Sequence, residues 1–434
     1  MSVAIERPRT VRLLDGLVPG RRADLAAHRA VHGSLILPSR SDDRWSEHLV
    51  DELAGSGLTG RGGAGFPTAD KIRWIRAQRR RPVLAVNAME GEPASRKDAV
   101  LATHVPHLVL DGAAAVARCV DAASVRVCVP RQADAVAASL DAAMRERSRT
   151  GMDPVPVELV RPPGGYVSGE ESALAAWLDR HEALPSFRPD RPAVVRVGGR
   201  PCLVDNAETL ARVALVARHG GAAVRGSGND ESAGSALVTV SGAVARTGVY
   251  EVPLGVSVGS ILSTAGGAQS PLSAVLLGGY GGSWLPADRL GLGFDAKSLR
   301  AAGASPGAGV VVALPADSCG LAETARVAAW MAREGAGQCG PCVFGLPAVA
   351  DDLGQLAFGR AGTADLARLE CRLATVDGRG ACRHPDGVAR LVRSALAVFQ
   401  DDLRRHLRAG PCSGAWRAGV LPTPGLPAPS GRHL

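Results

Sequence analysis

The stretch GRGGAGFPT, residues 60–68, formally satisfies G-x-G-x-x-G. How it is read decides the fold of the first half of the chain. A dinucleotide-binding turn of the Rossmann type needs a strand directly before the glycines and a helix directly after them. Here WSEHLVDELA (45–54) carries a helical pattern before the loop, and ADKIRWIRAQ (69–78) carries another after it. The Rossmann reading fails. What survives is simpler: Gly60, Gly62, Gly63 and Gly65 let backbone approach a ligand closely, and the following helix offers N-terminal N–H groups to a phosphate. Arg61 and Lys71 add positive charge. The alternative is a flexible loop between helices, which leaves Phe66 and Trp74 unexplained. Aromatics make up only 3% of the chain, and eight residues is about two helical turns, roughly one face. Two such rings suit stacking on an adenine or packing in a core.

Outward from the loop, PVLAVNAMEGEP (82–93) reads as a buried strand running into a turn. PHLVLDGAAAVARC and ADAVAASLDAAMRER read as helices, with SVRVCVP and VPVELV as strands between and after them. Strands alternating with helices imply an α/β layer through about residue 220. GSGNDESAG (226–234) is a linker by composition. Short β-runs follow: ALVTVSGAV, GVYEVPLG, SAVLLGGYGG and GAGVVVALP. From Leu321 the period becomes helical, with Ala325, Ala328 and Met331 on the same face, and it recurs at Val388, Val392, Ala395, Phe399 and Leu403. The expected organisation is an Arg/Pro-rich extension (1–44), an α/β domain (45–225), a small β-rich domain (235–315), a helical bundle (320–408) and a disordered Pro/Gly-rich tail (409–434).

Composition bounds the function. At 434 residues, 46% hydrophobic and 21% charged, the chain is long enough for about three domains with buried cores. A net charge of +8 is compatible with an anionic ligand, and nothing in its distribution argues for nucleic acid. No secretory pattern and no uninterrupted apolar run of bilayer length is present. Nine cysteines without a secretion signal point to thiols or metal ligands in a reducing, cytoplasmic setting.

Two acidic turns lie where α/β sheets bind ligands. NAMEGEP places Asn87, Glu90 and Glu92 after a strand, and PPGGYVSGEES places Tyr166, Gly169, Glu170 and Glu171 before a helix. VDNAET adds Asp205, Asn206 and Thr209. Such groups serve equally as helix caps or as hydrogen-bond partners for sugar hydroxyls and the edge of a flavin or nicotinamide.

In this order, GRGGAGFPT-x-x-K, VNA-x-E-x-EP, GGYVSGEESAL and V-x-NAETL resemble the NADH-binding flavoprotein subunit of respiratory complex I. They also resemble the related diaphorase subunits of NAD-linked hydrogenases and formate dehydrogenases. The resemblance covers about residues 45–408. It implies an α/β flavin-binding domain, an SLBB-type (soluble-ligand-binding β-grasp) domain and a helical domain with an iron–sulfur site. It further implies FMN held by Gly60, Arg61, Gly62, Gly63, Lys71, Asn87, Glu90, Tyr166, Gly169, Glu170, Asp205, Asn206 and Thr209. NADH would stack over it near Phe66, Trp74, Glu92, Glu171 and Arg188. Departures are Trp74 for a Phe, Met89 for an Asp near the flavin, Ser168 for a Cys, and Asp205 for the first Asn of a pair.

The remaining motif is EGAGQCGPC (334–342). C-G-P-C is a thioredoxin-type dithiol sequence, but no βαβ frame surrounds it. Zinc is a second reading, with Cys382 and His384 supplying further ligands at unusual spacing. The family's [4Fe–4S] pattern is C-x-x-C-x-x-C plus a distant cysteine. On that pattern Cys339, Cys342 and Cys382 match, and Ala336 stands at the first position. Three outcomes are open: a fourth ligand from water, Cys319, Cys371 or His384; a [3Fe–4S] cluster; or no cluster. The resemblance implies an NADH dehydrogenase of diaphorase type, passing electrons through FMN and the cluster to a ferredoxin-like protein, another oxidoreductase subunit or a quinone-linked acceptor, with peripheral membrane association through a larger assembly. The competing reading is an inactive flavoprotein-like scaffold or thiol redox sensor that binds a partner through its SLBB domain.

Overall fold

The computed structural model describes residues 11–39, 42–187, 194–226 and 234–426. Within the first 44 residues a short helix, α1 (Leu25–His32), is capped by Asp24 and lays Leu25, His28 and His32 into the core. That part of the extension is structured because those three side chains have a surface to bury against. Then come α2 (Asp43–Ser56), the glycine loop, and α3 (Thr68–Arg76). The α/β unit continues through β1 (Val83–Asn87), α4 (Lys97–His104), α5 (Pro106–Cys119), β2 (Ser124–Cys128), α6 (Asp134–Thr150) and β3 (Val157–Val160). It closes with α7 (Glu171–Arg180), β4 (Val195–Val197), β5 (Arg200–Asn206), α8 (Ala207–His219) and α9 (Gly221–Arg225).

Its sheet runs β3-β2-β1-β5-β4, parallel except for the edge strand β4. Alternation along β1 sends Leu84 and Val86 into one apolar cluster with α5 and α8, and Val83 and Ala85 into another with α7. Both faces are covered, as a parallel sheet requires.

The second sheet is built from β6 (Ser235–Gly242), β7 (Gly248–Pro253), β8 (Leu272–Leu277), β9 (Ser283–Pro286) and β10 (Val310–Pro315), in the order β7-β6-β10-β8-β9. Only β6 and β10 are parallel. One face packs on α10 (Val258–Thr264) and α11 (Ala296–Ala301). The other packs on the helical unit, where Leu276, Val312 and Trp284 join its core. That unit comprises α12 (Gly320–Arg333), one π-helical turn (Pro341–Gly345), α13 (Leu346–Phe358), α14 (Thr363–Val376), α15 (His384–Val398) and α16 (Gln400–Ala409). Residues 411–426 do not form a loose tail. They strap back over α12, with Leu421 3% exposed and both Val420 and Leu421 N–H groups donating to Glu323 at 3.0 Å. The composition of a Pro/Gly-rich segment does not report such non-local partners. The core of the expected linker and the last residues of the tail lie outside the described residues. Among the described residues no single helix is long and apolar enough to cross a membrane.

Candidate functional site

β1 and β5 lie side by side, with Asn87 in register with Asn206 at their carboxyl ends. From β1 the chain winds outward through β2 and β3, then returns to the other side of β1 as β5. That reversal opens a crevice at the strands' carboxyl ends, the usual ligand position in open α/β sheets. A cavity of about 680 Å³ fills it. The glycine loop forms one end; Gly281 and Ala308 of the β-grasp unit and Met331, Cys382 and His384 of the helical unit complete the lining.

The loop is pinned at its base, where Thr59 bridges Pro67 and the Gly60 N–H donates to the Phe66 carbonyl at 2.8 Å. Gly63 and Gly65 adopt φ of 103° and 65°, values at which a side chain is strained. The Arg61 N–H donates to Thr209 Oγ1 at 2.9 Å, and its guanidinium reaches the Ser235 carbonyl at 3.2 Å. Its Nε is buried without a partner, and burial with Arg212 nearby lowers the group to about 10. Thr68 Oγ1, at the start of α3, is also buried and unpartnered.

Phe66 and Trp74 do not share a helix face. Pro67 caps α3, so Phe66 lies in the loop, 41% exposed on the cavity wall, whereas half-buried Trp74 is not among the lining residues. Arg188 lies outside the described residues. Every other residue singled out for the nucleotides lines the cavity.

Lys71 Nζ pairs with Glu171 at 3.1 Å and Asp205 at 3.5 Å, and donates to the Val204 carbonyl. Burial disfavours its charge, but the two carboxylates outweigh that and raise its pKa. Asp205 is raised in turn by burial, with Lys71 opposing, and its Oδ2 is buried with no partner. Glu90 collars the start of α4, accepting from Ser95 Oγ (2.6 Å) and the N–H groups of Asp98 (3.1 Å) and Ala99 (2.9 Å). Burial, then Asp98, raises its pKa. Glu92 accepts from the N–H groups of Tyr280 (2.7 Å) and Ala94 (3.2 Å), and burial still pushes it up to about 7. The Tyr166 phenol bonds Glu92, and its backbone N–H donates to Glu334 at 2.9 Å. Asn87 Nδ2 donates to the Gly169 carbonyl at 2.8 Å, which fixes the tyrosine loop over β1. Glu170 caps α7 through Ser172 and Ala173 N–H groups at 2.9 and 3.0 Å.

Sequence reasoning missed Lys97, which is buried on the cavity wall within 2.9 Å of Asp98, 3.1 Å of Asn206 Oδ1 and 3.3 Å of Glu208. Its signal was a Lys-Asp pair opening a helix just after the acidic turn. Gly281, His384 and Arg390 come from other units; the glycine cluster GGYGG (278–282) was the local hint of close approach.

Cys339, Cys342 and Cys382 gather in the helical unit. The Cys342 N–H donates to the Cys339 carbonyl at 2.7 Å beside the π-turn, and an Ala336 N–H donates to the Cys342 thiol. Burial, reinforced by Cys339, pushes Cys342 up to about 12, and burial raises Cys382 as well. Such thiols ionise readily only against a bound cation, so the donor set fits an iron–sulfur group with three thiolates. Of the candidates for a fourth ligand, Cys371 is exposed on α14. Cys319 precedes α12, whereas Cys339 follows it, about 20 Å of helix away. His384 remains: its Nε2 donates to the Met331 carbonyl at 2.8 Å and its Nδ1 is buried without a partner. The cavity likewise fits a polar, phosphate-bearing ligand, since Arg61 Nε, Thr68 Oγ1 and Asp205 Oδ2 all lack partners there.

An α/β ligand site opening toward clustered thiols defines a two-cofactor electron-transfer class of protein. Comparison with known proteins agrees. Residues 53–215 match the Nuo51 FMN-binding domain, 237–279 the SLBB domain, and 322–406 the NADH-ubiquinone oxidoreductase-F iron–sulfur binding region. The chain is 30% identical over 401 residues to the second F subunit of NADH-quinone oxidoreductase in Rhizobium meliloti (strain 1021), covering 89% of this chain and 95% of that one. The F subunit of NADH-quinone oxidoreductase in Mycobacterium tuberculosis (strain ATCC 25618 / H37Rv) is 30% identical over 417 residues, covering 92% of each. A chain of the NAD+-reducing [NiFe]-hydrogenase in the H2-reduced state superposes with a TM-score of 0.79 at 31% identity, covering 90% of this chain and 68% of that one. The chain belongs to the family of NADH-quinone oxidoreductase F subunits.

Proposed function

We infer that this chain oxidises NADH in the cavity and passes the electrons to an iron–sulfur group on Cys339, Cys342 and Cys382. When bound, FMN supplies a hydride acceptor that releases electrons singly, and the cluster supplies a one-electron site. The chain's own residues position and insulate. The glycine loop, Arg61, the N-terminus of α3 and Thr209 hold phosphate. Asn87, Glu90, Asp205 and Asn206 supply hydrogen-bond partners at the carboxyl ends of β1 and β5. Phe66, on the cavity wall and 41% exposed, would offer its ring to the base of the second nucleotide. Tyr166, packed edge-on against Trp330 (5.8 Å) and tilted on His384 (5.4 Å), closes the inner side against water. No side chain need act as acid or base.

The observation that carries this reading is the lining of one cavity by both the glycine loop and Cys382. Val343 and Phe344, 45% and 76% exposed beside Cys342, supply an apolar rim for the electron-accepting subunit of a larger assembly. Nine unpaired cysteines favour the cytoplasm. The test is an anaerobic visible and EPR spectrum before and after NADH. A yellow protein that bleaches with NADH and develops a cluster signal is expected. A colourless chain that takes up no added FMN and reduces no ferricyanide overturns the reading.

A further inference from the structure

A second set of metal-ligating side chains lies at the other end of the helical unit, where the proposed reaction does not use it. Cys319 immediately precedes α12, His406 occupies the last turn of α16, and Cys412 follows that helix at the start of the strap. Their ligand atoms all lie within 4.8 Å of one another. Cys319 and His406 are buried and Cys412 half-buried.

The histidine is oriented as a ligand. Its Nδ1 lies 3.0 Å from the Leu356 carbonyl, an acceptor, so the proton sits on Nδ1 and the Nε2 lone pair faces the thiols. A backbone carbonyl of this kind is a usual partner for the remaining ring nitrogen of a metal-bound imidazole. Nε2 is 3.7 Å from Cys319 Sγ, and the two thiols are hydrogen-bonded to each other. A tetrahedral zinc with sulfur at about 2.3 Å and nitrogen at about 2.0 Å needs its donors roughly 3.5–3.8 Å apart. The Nε2–Cys319 spacing of 3.7 Å meets that, and the remaining pairs lie within 4.8 Å.

We propose that Cys319, His406 and Cys412 bind a borderline-soft divalent cation of the zinc class, a structural clip between the start of α12 and the C-terminal strap. Binding releases the two thiol protons, leaving a dication on two thiolates and a neutral imidazole, with no net charge in an apolar setting. The Cys412 N–H, now 3.1 Å from Nε2, yields its place to the metal. The fourth position falls to water, which keeps the site neutral, since Asp402, one turn before His406 on α16, is paired with Arg405 at 3.0 Å.

The test uses the whole chain, purified without chelator. Elemental analysis should give one zinc per chain beyond any iron, and cobalt added in its place should show sulfur-to-metal charge transfer with the intense visible bands of a tetrahedral site. Cys412→Ser should lose those bands and weaken cobalt binding at least about 100-fold, while Cys339→Ser should keep them, which separates this site from the iron–sulfur thiols. Cadmium-113 NMR on the unaltered chain reports two-sulfur, one-nitrogen ligation whether or not a variant folds. No metal uptake, bands unchanged in Cys412→Ser, an all-sulfur cadmium shift, or a Cys319–Cys412 disulfide in peptide maps of freshly prepared protein would each overturn the proposal.

Discussion

Asp111 and Asp205 are both buried in the α/β unit, and the fold treats them in opposite ways. Asp111, on α5, accepts from His28 Nε2 (2.7 Å), Arg147 (2.5 Å) and Arg218. Burial alone would raise its carboxyl, but the His28 hydrogen bond and the two arginines hold it well below the usual carboxylate range. Among the described residues Asp205 has one cation, Lys71, shared with Glu171; one oxygen is unpartnered, and burial wins. The first arrangement completes a core. The second keeps hydrogen-bonding capacity in reserve at a cavity, which is how a site differs from a staple made of the same residue types.

The comparison can be broken most directly at Asp111. Asp111→Ala takes the carboxylate from the buried Arg218 guanidinium and leaves Arg147 with Asp153 alone, and should lose about 3–5 kcal/mol of stability, read by urea unfolding at neutral pH. Because the folded-state carboxyl is depressed, its contribution is present above the ordinary carboxylate range and fades as pH falls below it. The gap between parent and variant should therefore narrow in acid. A loss under about 1 kcal/mol would mean the cluster is ornamental.

Glu92 tests the other side of the contrast, since burial raises it from 4.5 to about 7. In that window the folded chain binds more protons than the unfolded one, so stability falls as pH rises from 4.5 to about 7. Glu92→Gln should abolish this slope, worth at most about 3 kcal/mol at 1.36 kcal/mol per unit. His32 and His107, both lowered by burial to about 4, act in the opposite sense, losing stability as pH falls from 6.5. They are common to both chains and cancel in the difference. A parallel pair of stability curves would show that Glu92 ionises freely.

At Asp205 itself the expected effect is on ligand rather than fold. Asp205→Ala removes an under-partnered carboxylate while Lys71 keeps Glu171, so unfolding should shift little. Loss of a hydrogen bond to a charged group is worth about 1.5–3 kcal/mol, or roughly ten- to a hundredfold weaker FMN binding by fluorescence quenching. If instead the variant unfolds like Asp111→Ala and binds FMN normally, Asp205 is a core residue.

Much of this was legible because it is local. The glycine loop, the strands VLAVN and SVRVC and the acidic turns each carry their signal within about ten residues. What escaped depends on partners remote in the chain. Lys97 is held by Asn206 and Glu208, more than a hundred residues on. Strands β4 and β5 turn on Gly198 and Gly199, both at positive φ, and the edge strand β4 is too short for its alternation to register. The spacing of Phe66 and Trp74 misled because Pro67 starts the helix between them. The strap at 411–426 looks like a tail until Glu323 is placed beneath it. The convergence of three units on one cavity has no local signature at all.

The smallest effect comes from adding a further buried aspartate on the cavity wall. Met89 is 1% exposed on the cavity wall, its N–H 3.2 Å from Asn87 Oδ1, and a Cβ on Gly169 would stand 3.1 Å from its own. Neither neighbour brings a cation. A carboxylate at this position would resemble Asp205 rather than Asp111: under-compensated, and negative where the ring must accept electrons. Met89→Asp should lower the flavin midpoint potential by on the order of 30 mV, a tenfold change in a two-electron equilibrium, measured by spectroelectrochemical titration of the FMN-loaded chain. An unchanged potential at unchanged FMN content would place Met89 off the ring. The native methionine then owes its position to packing against Gly169, and the cavity's unpartnered atoms on Arg61, Thr68, Asp205 and His384 lie on other residues.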